Sequence, residues 1–468
     1  MTLPLWTGAE ISRALDIAVP ENLNISGISI DSRTLEPGDL FFAVQGVSQD
    51  GHAYIQKAFE AGAAAAVIHH ERISEFADYG TLIAVDDVLE ALIRLGQFAR
   101  KRSADAYIIA VTGSVGKTST KEMLKKVFTA QGVTHASVAS YNNHWGVPLT
   151  LARMPRDTEY GIFEIGMNHP GEIRPLVQMV RPHMAIITSV EPVHLEFFTS
   201  VNEIADAKAE IFSGMEAGGI AILNRDNPWF ERLKIHALEQ KADRVISFGE
   251  HEEADIRAER IVEETDGNDV TIRIFGQEMM YHLGIPGHHM ALNSLAVLAA
   301  IRPAGGDILK AADSLGNMQA PKGRGERFTL KIHNGSFTLI DESYNANPAS
   351  MRAALRALSK APVSVGNRRI AVLGPMRELG QAGPQLHKDL LSVIEDVHID
   401  QVFLAGDLME ELYHALPRSR KALWVEHSAD LVEPLIAALA PGDVVMVKGS
   451  LSTQMGLVVK GLKEACSG

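Results

Sequence analysis

The sequence contains almost no cysteine and no long apolar run. Cys466 is the one cysteine among 468 residues, so no disulfide can form within the chain and a reducing compartment is expected. No stretch approaches the roughly 20 apolar residues of a membrane-spanning helix. The N-terminal residues lack the charged and then apolar pattern of a secretory signal. We therefore expect a cytoplasmic protein that does not insert into a membrane.

Basic charge is also scarce. The chain carries 44 Lys and Arg against 58 Asp and Glu, a formal net charge of −14, which argues against a general nucleic-acid-binding surface. An anionic ligand must therefore be held by a local positive site. An apolar content of 46% is typical of globular proteins, and the length suggests about three domains.

The order of apolar and polar segments predicts an α/β fold with three domains. Residues 1–83 form a small N-terminal α/β domain in this prediction. Residues 84–317 form a central P-loop-type domain on a mostly parallel sheet, with antiparallel strands within 251–285. Residues 318–468 carry strands that end in polar or glycine-containing turns, which is typical of a Rossmann-like sheet.

The most informative segment is VTGSVGKTST, residues 111–120. An apolar strand leads into a glycine turn and then a helix, an arrangement that presents free backbone N–H groups to a polyphosphate. Lys117 is expected to reach the β- and γ-phosphates, and the Thr118 hydroxyl to ligate Mg²⁺. Val111 replaces the first glycine of the full pattern, so the loop is a shorter variant. The expected nucleotide-binding residues are Gly113, Ser114, Gly116, Lys117, Thr118 and Ser119.

Polar residues in the central domain each allow two interpretations. Glu164 ends a buried strand, where a carboxylate is costly unless it meets a cation such as Mg²⁺; the alternative is a solvated glutamate. His194 follows another strand and is either a member of the same cluster or a structural hydrogen bonder. For Lys208 the residues favour a surface lysine paired with Glu203 or Glu210.

Further candidates lie at a helix start and in the turns of the last domain. His289 and Asn293 share one helical face and suit contact with a base or ribose, or else capping and packing. Arg327 is a candidate for contact with ribose or phosphate. Asp341, Asn345 and Asn347 lie in a polar turn that follows a strand and are further candidates. Asn and Pro are common in turns of every kind, so this segment can also be an ordinary turn.

Two turns of the first domain suit an anionic or nucleotide ligand. Ser32 and Arg33 end a strand, and Asp50, Gly51 and His52 open a helix. Surface turns and a helix cap explain the same residues without a ligand, and the residues alone favour that interpretation.

Taken together and in this order, the motifs resemble the Mur ligases of bacterial peptidoglycan synthesis, over essentially the whole chain. The resemblance rests on DSR, PGDLFFA, DGH, TGSVGKTS, YNN, GVPLTL, EIGMNHPGEI, VHLEFF, AKAEIF, LNRDN, DESYNANP, LGPMRELG and KGS. YNN, EIGMN with GEI, and SYNANP point to the family member that joins D-alanyl-D-alanine to UDP-N-acetylmuramoyl-tripeptide.

The resemblance implies an ATP-dependent, ADP-forming ligase that passes through an acyl phosphate. It implies two Mg²⁺ ions, with Thr118, Glu164 and His194 as ligands, and it matches Lys208 to the family lysine that CO₂ carbamylates. A carbamate would be an anionic oxygen ligand, whereas an ammonium would be repelled by Mg²⁺. The implied catalytic residues are Lys117, Lys208, His194 and Glu164.

Binding roles follow from the same resemblance. The implied ATP contacts outside the phosphate loop are His289, Asn293, Arg327, Asp341, Asn345 and Asn347. The implied contacts with the UDP-linked substrate are Ser32, Arg33, Asp50, Gly51, His52, Asn142 and Asn143. The chain departs from the family pattern at Met290, Leu451 and Gly374-Pro375. The family implies a monomer.

Two other functions compete with this one. The first is a related ligase that adds a different amino acid, including the folylpolyglutamate type, which lacks a uridine-binding first domain. The second is a P-loop NTPase that switches binding partners, which only the phosphate loop supports. A panel of acceptor amino acids and dipeptides separates these alternatives.

Overall fold

Three α/β units follow one another in the computed structural model, which describes residues 3–46, 49–193, 195–264 and 266–466. Each unit has its own sheet, and the predicted α/β class with parallel-rich sheets is confirmed. Within these described ranges, no helix combines the length and apolar character needed to cross a bilayer. Short 3₁₀ helices occur at Gly51–Tyr54, His70–Arg72, Glu210–Gly214, Gly380–Ala382, Asp407–Met409, Ser428–Leu431 and Leu451–Thr453.

The first unit packs helices on a parallel sheet. Its elements are β1 (Trp6–Thr7), α1 (Gly8–Leu15), β2 (Asn24–Ile25), β3 (Gly27–Ser29), β4 (Asp39–Phe42), α2 (Ile55–Glu60), β5 (Ala65–His69), α3 (Ile73–Phe76), β6 (Leu82–Val85) and α4 (Val88–Arg102). The parallel strands lie in the order β3-β4-β5-β6, and β1 pairs with β2 in an antiparallel ribbon. Thr7 and Glu10 form a capping box that starts α1.

Helix α4 joins the first unit to the second. It begins after Asp87, whose carboxylate accepts hydrogen bonds from the first free N–H groups of the helix. Its buried Leu92 and Leu95 share one core with Trp6 of the first unit and with Leu149 of the second. The expected domain boundary after residue 83 falls inside β6.

The second unit carries a long sheet with helices on both faces. Its elements are β7 (Tyr107–Thr112), α5 (Lys117–Thr129), β8 (Thr134–Ala136), α6 (Gly146–Ala152), β9 (Tyr160–Glu164), α7 (Ile173–Val180), β10 (Met184–Ile187), α8 (Val201–Ala209), β11 (Gly219–Asn224), α9 (Phe230–Gln240), β12 (Ala242–Gly249), β13 (Ile256–Glu263), β14 (Asn268–Ile274), β15 (Gln277–Leu283), α10 (His288–Ile301) and α11 (Ile308–Gly316).

The strand order of this sheet is β8-β9-β7-β10-β11-β12-β13-β14-β15. Neighbours from β8 to β13 are parallel, and β13, β14 and β15 are joined as antiparallel strands. The prediction of antiparallel strands within 251–285 is therefore confirmed. Because β9, β7 and β10 are adjacent and parallel, the turns that follow them meet at one edge of the sheet.

The third unit has a second open sheet. Its elements are β16 (Glu326–Ile332), β17 (Gly335–Glu342), α12 (Pro348–Lys360), β18 (Arg369–Leu373), α13 (Gly383–Lys388), α14 (Leu390–Asp396), β19 (Gln401–Ala405), α15 (Glu410–Ala415), β20 (Lys421–Val425), α16 (Val432–Ala438), β21 (Val444–Lys448) and α17 (Gly456–Cys466). The strand order is β16-β17-β21-β18-β19-β20, with β16 antiparallel to its neighbour. The chain order reverses between β21 and β18, where ligands of such sheets gather.

Arg100 of α4 holds the first and second units together. Its buried guanidinium donates from Nε to the Val180 carbonyl at 2.9 Å and from Nη2 to the Arg181 carbonyl at 3.0 Å. These carbonyls lie at the C-terminal end of α7, where a cation is favourable. Burial lowers the pKa of Arg100 to about 10, so the side chain stays charged near neutral pH.

We expect Arg100→Met to lower the free energy of unfolding by about 3 kcal/mol, because it leaves buried carbonyls without a donor and Glu216 without its inner cation. Urea unfolding followed by circular dichroism measures the change. Lys101→Met, at an exposed neighbour on the same helix, should change stability by less than about 0.5 kcal/mol. Equal midpoints for the two variants would contradict this role of Arg100.

Candidate active site

A cleft of about 620 Å³ lies between the second and third units, a volume typical of ligand pockets. One wall consists of the turns that follow β7 and β9, and the other consists of the turns that follow β17, β18 and β21. A smaller cavity of about 210 Å³ continues the cleft. The two cavities share His289, Met290, Arg324 and Glu342. An elongated ligand can therefore extend from one into the other.

The phosphate loop connects β7 to α5 and lines the cleft. Gly113 has φ +148° and Gly116 has φ +87°, which glycine adopts without strain. A Cβ at Gly116 would lie 2.7 Å from Nδ2 of Asn293, so a larger residue does not fit there. Because α5 begins at Lys117, its free N–H groups and positive dipole end lie at the loop. The loop has the geometry that a polyphosphate site needs.

Lys117 bridges the loop in this structure. Its Nζ donates to the Gly113 carbonyl at 2.7 Å. The enclosed position lowers the pKa of Lys117, and the nearby Glu164 carboxylate opposes that shift. The ammonium is thus held at the mouth of the loop by a hydrogen bond that an anionic ligand can replace.

Glu164 presents an unsatisfied oxygen inside the second unit. The side chain is 1% exposed, and its Oε1 accepts a hydrogen bond from Asn142 Nδ2 at 2.7 Å. Among the described residues, Oε2 has no hydrogen-bond partner. A buried carboxylate oxygen is costly in that state, so it needs a cation.

The oxygen donors of the cleft fit Mg²⁺. Glu164 and Thr118 both line the cleft, and Thr118 Oγ1 lies 3.3 Å from Ser140 Oγ. Mg²⁺ is usually bound by one or two carboxylates together with substrate phosphates. In the described part of the chain, no group of three His, Cys, Asp or Glu side chains forms a metal site by itself. His194, another of the predicted ligands, lies outside the described residues.

Lys208 is buried, so the prediction of a surface lysine paired with Glu203 or Glu210 is wrong. The side chain is 2% exposed in α8. Burial, together with the Lys117 ammonium, lowers the pKa of Lys208 well below its ordinary value. Glu210 instead accepts the backbone N–H of Gly171 at 2.8 Å. A lysine in this position is driven toward the neutral amine.

The predicted nucleotide contacts of α10 have different surroundings. His289 is exposed to both cavities. Asn293 is buried and packs against the phosphate loop at Gly116. Met290, the departure from the family pattern, is buried and lines the cleft beside His289. The helix therefore supports the loop with one residue and faces the cleft with another.

The predicted ATP contacts of the third unit lie in different places in the structure. Asn345 and Asn347 line the cleft, and Asn347 caps α12 by accepting the Ser350 N–H at 2.8 Å. Arg327 lines the smaller cavity. Asp341 is buried, its Oδ1 accepts the Ser343 hydroxyl at 2.6 Å, and it is absent from the described lining of both cavities. Its carboxylate shapes the turn.

Sequence reasoning missed several charged residues that line the cleft. Lys448 is buried at the end of β21 and donates to Glu342 Oε2 at 3.2 Å and to the Asn345 carbonyl at 2.9 Å. Arg324 lies 4.4 Å above the Tyr344 ring. The others are Arg377 and Glu378. The segments GRGER, LGPMRELG and KGS contained these residues, but spacing alone gave no reason to place them opposite the phosphate loop.

The predicted uridine-side residues lie at the carboxyl ends of β3 and β4. His52 is buried, donates from Nδ1 to Asp50 at 2.7 Å and accepts the His69 N–H on Nε2 at 3.1 Å. A Cβ at Gly51 would lie 2.7 Å from backbone atoms of Val44. His52 and Gly51 therefore fix the shape of the turn, and the His52 side chain does not point out of the turn toward a ligand.

The remaining predicted contacts are a mixture of exposed and engaged side chains. Arg33 is exposed and paired with Asp31 at 2.6 Å, and Ser32 is half-buried beside it. Asn142 lines the cleft and holds Glu164. Asn143 accepts the N–H of Gly146, the first residue of α6, at 2.9 Å.

Known protein families match each of the three units. The description "Mur ligase family, catalytic domain" matches residues 24–107, "Mur ligase middle domain" matches 111–301, and "Mur ligase, glutamate ligase domain" matches 323–451. The UDP-N-acetylmuramoyl-tripeptide–D-alanyl-D-alanine ligase of Rickettsia prowazekii is 34% identical over 97% of this chain and 99% of its own length.

Two solved structures have the same architecture. MurF from Acinetobacter baumannii has a TM-score of 0.83 and 27% identity, covering 98% of this chain and 99% of its own. MurF from Thermotoga maritima, solved in complex with ADP, has a TM-score of 0.75 and 23% identity, covering 94% of this chain and 97% of its own.

We expect Lys208→Met to stabilise the protein near neutral pH, because it removes a buried amine whose protonated form is disfavoured by burial. The unfolded state binds a proton at Lys208 that the folded state disfavours, so stability rises with pH between the lowered folded pKa and the ordinary value of 10.5. The benefit of the substitution should therefore shrink as the pH approaches that value.

Urea unfolding in CO₂-free buffer, near neutral pH and again at alkaline pH, measures this benefit. Lys241→Met, at an exposed lysine, is the matched control and should show no pH-dependent gain. A Lys208→Met variant that is less stable at every pH would refute the buried-amine interpretation.

Proposed function

The chain belongs to the Mur ligase family, and from that premise we propose that it joins D-alanyl-D-alanine to the terminal carboxylate of UDP-N-acetylmuramoyl-tripeptide while ATP is converted to ADP and phosphate. The near full-length similarity to the Rickettsia prowazekii ligase supports this substrate pair. The observation that carries the chemistry is the unsatisfied Glu164 oxygen in the same cleft as the phosphate loop.

ATP is proposed to bind along the two joined cavities. The triphosphate lies on the backbone N–H groups of residues 113–119 with Lys117 beside the β- and γ-phosphates. The base and ribose extend toward the smaller cavity, where His289 and Arg327 are available. Asn293 supports ATP binding indirectly, by packing against the phosphate loop at Gly116. Asn345 and Asn347 belong to the wall of the cleft that the third unit forms.

Glu164 and Thr118 are proposed to hold Mg²⁺, with His194 and a carbamylated Lys208 completing the ligands of two ions. When bound, Mg²⁺ neutralises phosphate charge and polarises the γ-phosphate. A neutral Lys208 amine is the form that combines with CO₂, which releases one proton and leaves an anionic carbamate. That anion would replace an unfavourable contact with the Lys117 ammonium by a favourable one.

The reaction then needs mainly positioning and charge stabilisation. The tripeptide carboxylate attacks the γ-phosphorus, ADP leaves, and the acyl phosphate forms; the dipeptide amine attacks its carbonyl carbon, loses a proton, and phosphate leaves. Lys117 stabilises the negative charge that spreads over the transferred phosphoryl group. The two walls of the cleft exclude water from the acyl phosphate.

The three units divide this work in our proposal. Residues 1–83 hold the uridine diphosphate end through exposed groups such as Arg33 at the carboxyl end of β3. Residues 84–317 bind ATP, and residues 318–468 close on ATP and the dipeptide. Because one chain supplies all of these residues, we propose that the protein acts as a monomer. We propose that it acts in the cytoplasm, where ATP and the UDP-linked substrate both occur.

Coupled phosphate release tests the function. We expect release with UDP-N-acetylmuramoyl-tripeptide, ATP and D-alanyl-D-alanine together, and no sustained release when the dipeptide is omitted. Lys117→Ala should lower the rate by about a thousandfold, since loss of one transition-state donor costs that order. The exposed Lys126→Ala, on the same helix, should leave the rate unchanged. Equal release with another amino acid or dipeptide would reassign the acceptor.

Lys208→Ala should also lose activity, and short carboxylates such as acetate should restore part of it, because they can supply the missing anionic oxygen in the space of the deleted side chain. The rate of phosphate release against acetate concentration measures this recovery. Lys117→Ala serves as the control that acetate cannot rescue. Wild-type rates for Lys208→Ala without any added carboxylate would rule out the carbamate.

A further inference from the structure

The mechanism leaves one fully buried cation of α5 unused. Lys121 is 0% exposed, which is costly for an ammonium unless its donors are satisfied. Its Nζ donates to the Ser137 carbonyl at 2.9 Å and to the Ala139 carbonyl at 3.1 Å, and it pairs with the Glu122 carboxylate. Lys121 therefore ties the helix that follows the phosphate loop to the segment that follows β8.

That segment, residues 137–143, contains a strained turn. Ala139 has φ +48°, in the left-handed region that residues other than glycine rarely adopt, at a cost of about 1–2 kcal/mol. Its side chain is exposed, so packing of that side chain does not hold the turn. The turn is closed by the Tyr141 N–H, which donates to the Val138 carbonyl at 3.2 Å, and the Lys121 bonds to the carbonyls of Ser137 and Ala139 tie it to α5.

The same segment contacts both proposed oxygen ligands of the metal. Ser140 Oγ lies 3.3 Å from Thr118 Oγ1, and Asn142 Nδ2 donates to Glu164 Oε1 at 2.7 Å. The Glu164 N–H donates to Ser137 Oγ at 3.2 Å. A shift of the turn therefore moves the partners of Thr118 and Glu164 together.

We propose that Lys121 is a positioning residue for the metal site: by holding the turn at Ala139, it sets Ser140 and Asn142 so that Thr118 Oγ1 and Glu164 Oε2 face one divalent cation. The identity of that cation rests on the proposed function. Residues that orient metal ligands in this way change metal affinity by about 10–100-fold when they are replaced.

Direct binding of Mn²⁺ in the presence of ADP tests the proposal, with free Mn²⁺ measured by electron paramagnetic resonance. We expect Lys121→Met to raise the Mn²⁺ dissociation constant by about tenfold or more. The affinity for ADP measured by calorimetry in EDTA should stay unchanged, because the phosphate loop is not altered. A merely structural role would weaken both or neither.

A second variant keeps the test decisive if Lys121→Met folds poorly. Ala139→Val places a β-branched residue in the left-handed turn without removing any buried group, and should cause the same selective loss of Mn²⁺ affinity. Lys126→Met, on the exposed face of α5, should bind Mn²⁺ like the wild type. In the Asn142→Ala background, Lys121→Met should cause a smaller further loss than it causes in the wild type, because the part of its effect that passes through Asn142 to Glu164 is already gone.

Unchanged Mn²⁺ affinity in Lys121→Met or in Ala139→Val overturns the proposal. This result is independent of the ligase assay, because Mn²⁺ and ADP binding require neither the tripeptide nor the dipeptide. A chain that forms no peptide bond but shows the selective loss of Mn²⁺ affinity would refute the proposed function and retain the positioning role. An active ligase whose Lys121→Met and Ala139→Val variants bind Mn²⁺ like the wild type would support the proposed function and refute the positioning role.

Discussion

The cleft depends on how buried charge is compensated at one edge of the central sheet. Glu164 has an oxygen that no described residue satisfies, Lys117 interacts with that carboxylate from a position where burial lowers its pKa, and Lys208 is buried near Lys117. In the proposed function, a magnesium-bound polyphosphate stabilises Glu164 and Lys117, and carbamylation turns Lys208 into an anion that Mg²⁺ can bind. In a chain with a net charge of −14, we propose that this local arrangement holds the anionic substrate.

The charged groups that line the cleft come from parts of the chain that are far apart in sequence. The second unit supplies the phosphate loop and Glu164, whereas the third unit supplies Lys448 and Arg324 from strand ends and turns on the opposite wall. Neither wall encloses a ligand by itself. This division suits a reaction whose acyl phosphate must be kept from water yet whose substrates must enter and leave.

Buried ionisable groups in this site reduce stability and serve chemistry. Lys208 disfavours folding near neutral pH because its proton must be given up or buried, and Ala139 is held in a costly backbone conformation. Lys121 shows the opposite case, since its burial is balanced by carbonyls and a carboxylate. In our proposals, the first of these lysines is the one that CO₂ modifies and the second is the one that holds a loop in place.

The sequence by itself determined the elements whose signals are local. The apolar strand before the glycine loop, the loop itself, the buried strand that Glu164 ends and the strand that precedes His194 were all predicted, because strand burial is encoded in consecutive residues. Edge strands such as β8 and β20 were not predicted, because a strand that is only partly buried lacks a continuous apolar run.

Tertiary structure decided the environment of the polar residues. The alternating pattern around Lys208 reads as a solvated helix face, and only the packing of α8 against the rest of the second unit shows that this face is covered. The same holds for His52 and Asp341, whose side chains are engaged inside turns, and for Arg324 and Lys448, which reach the cleft because the third unit faces the second. Burial and distance between remote segments are properties of the assembled fold, so no local pattern encodes them.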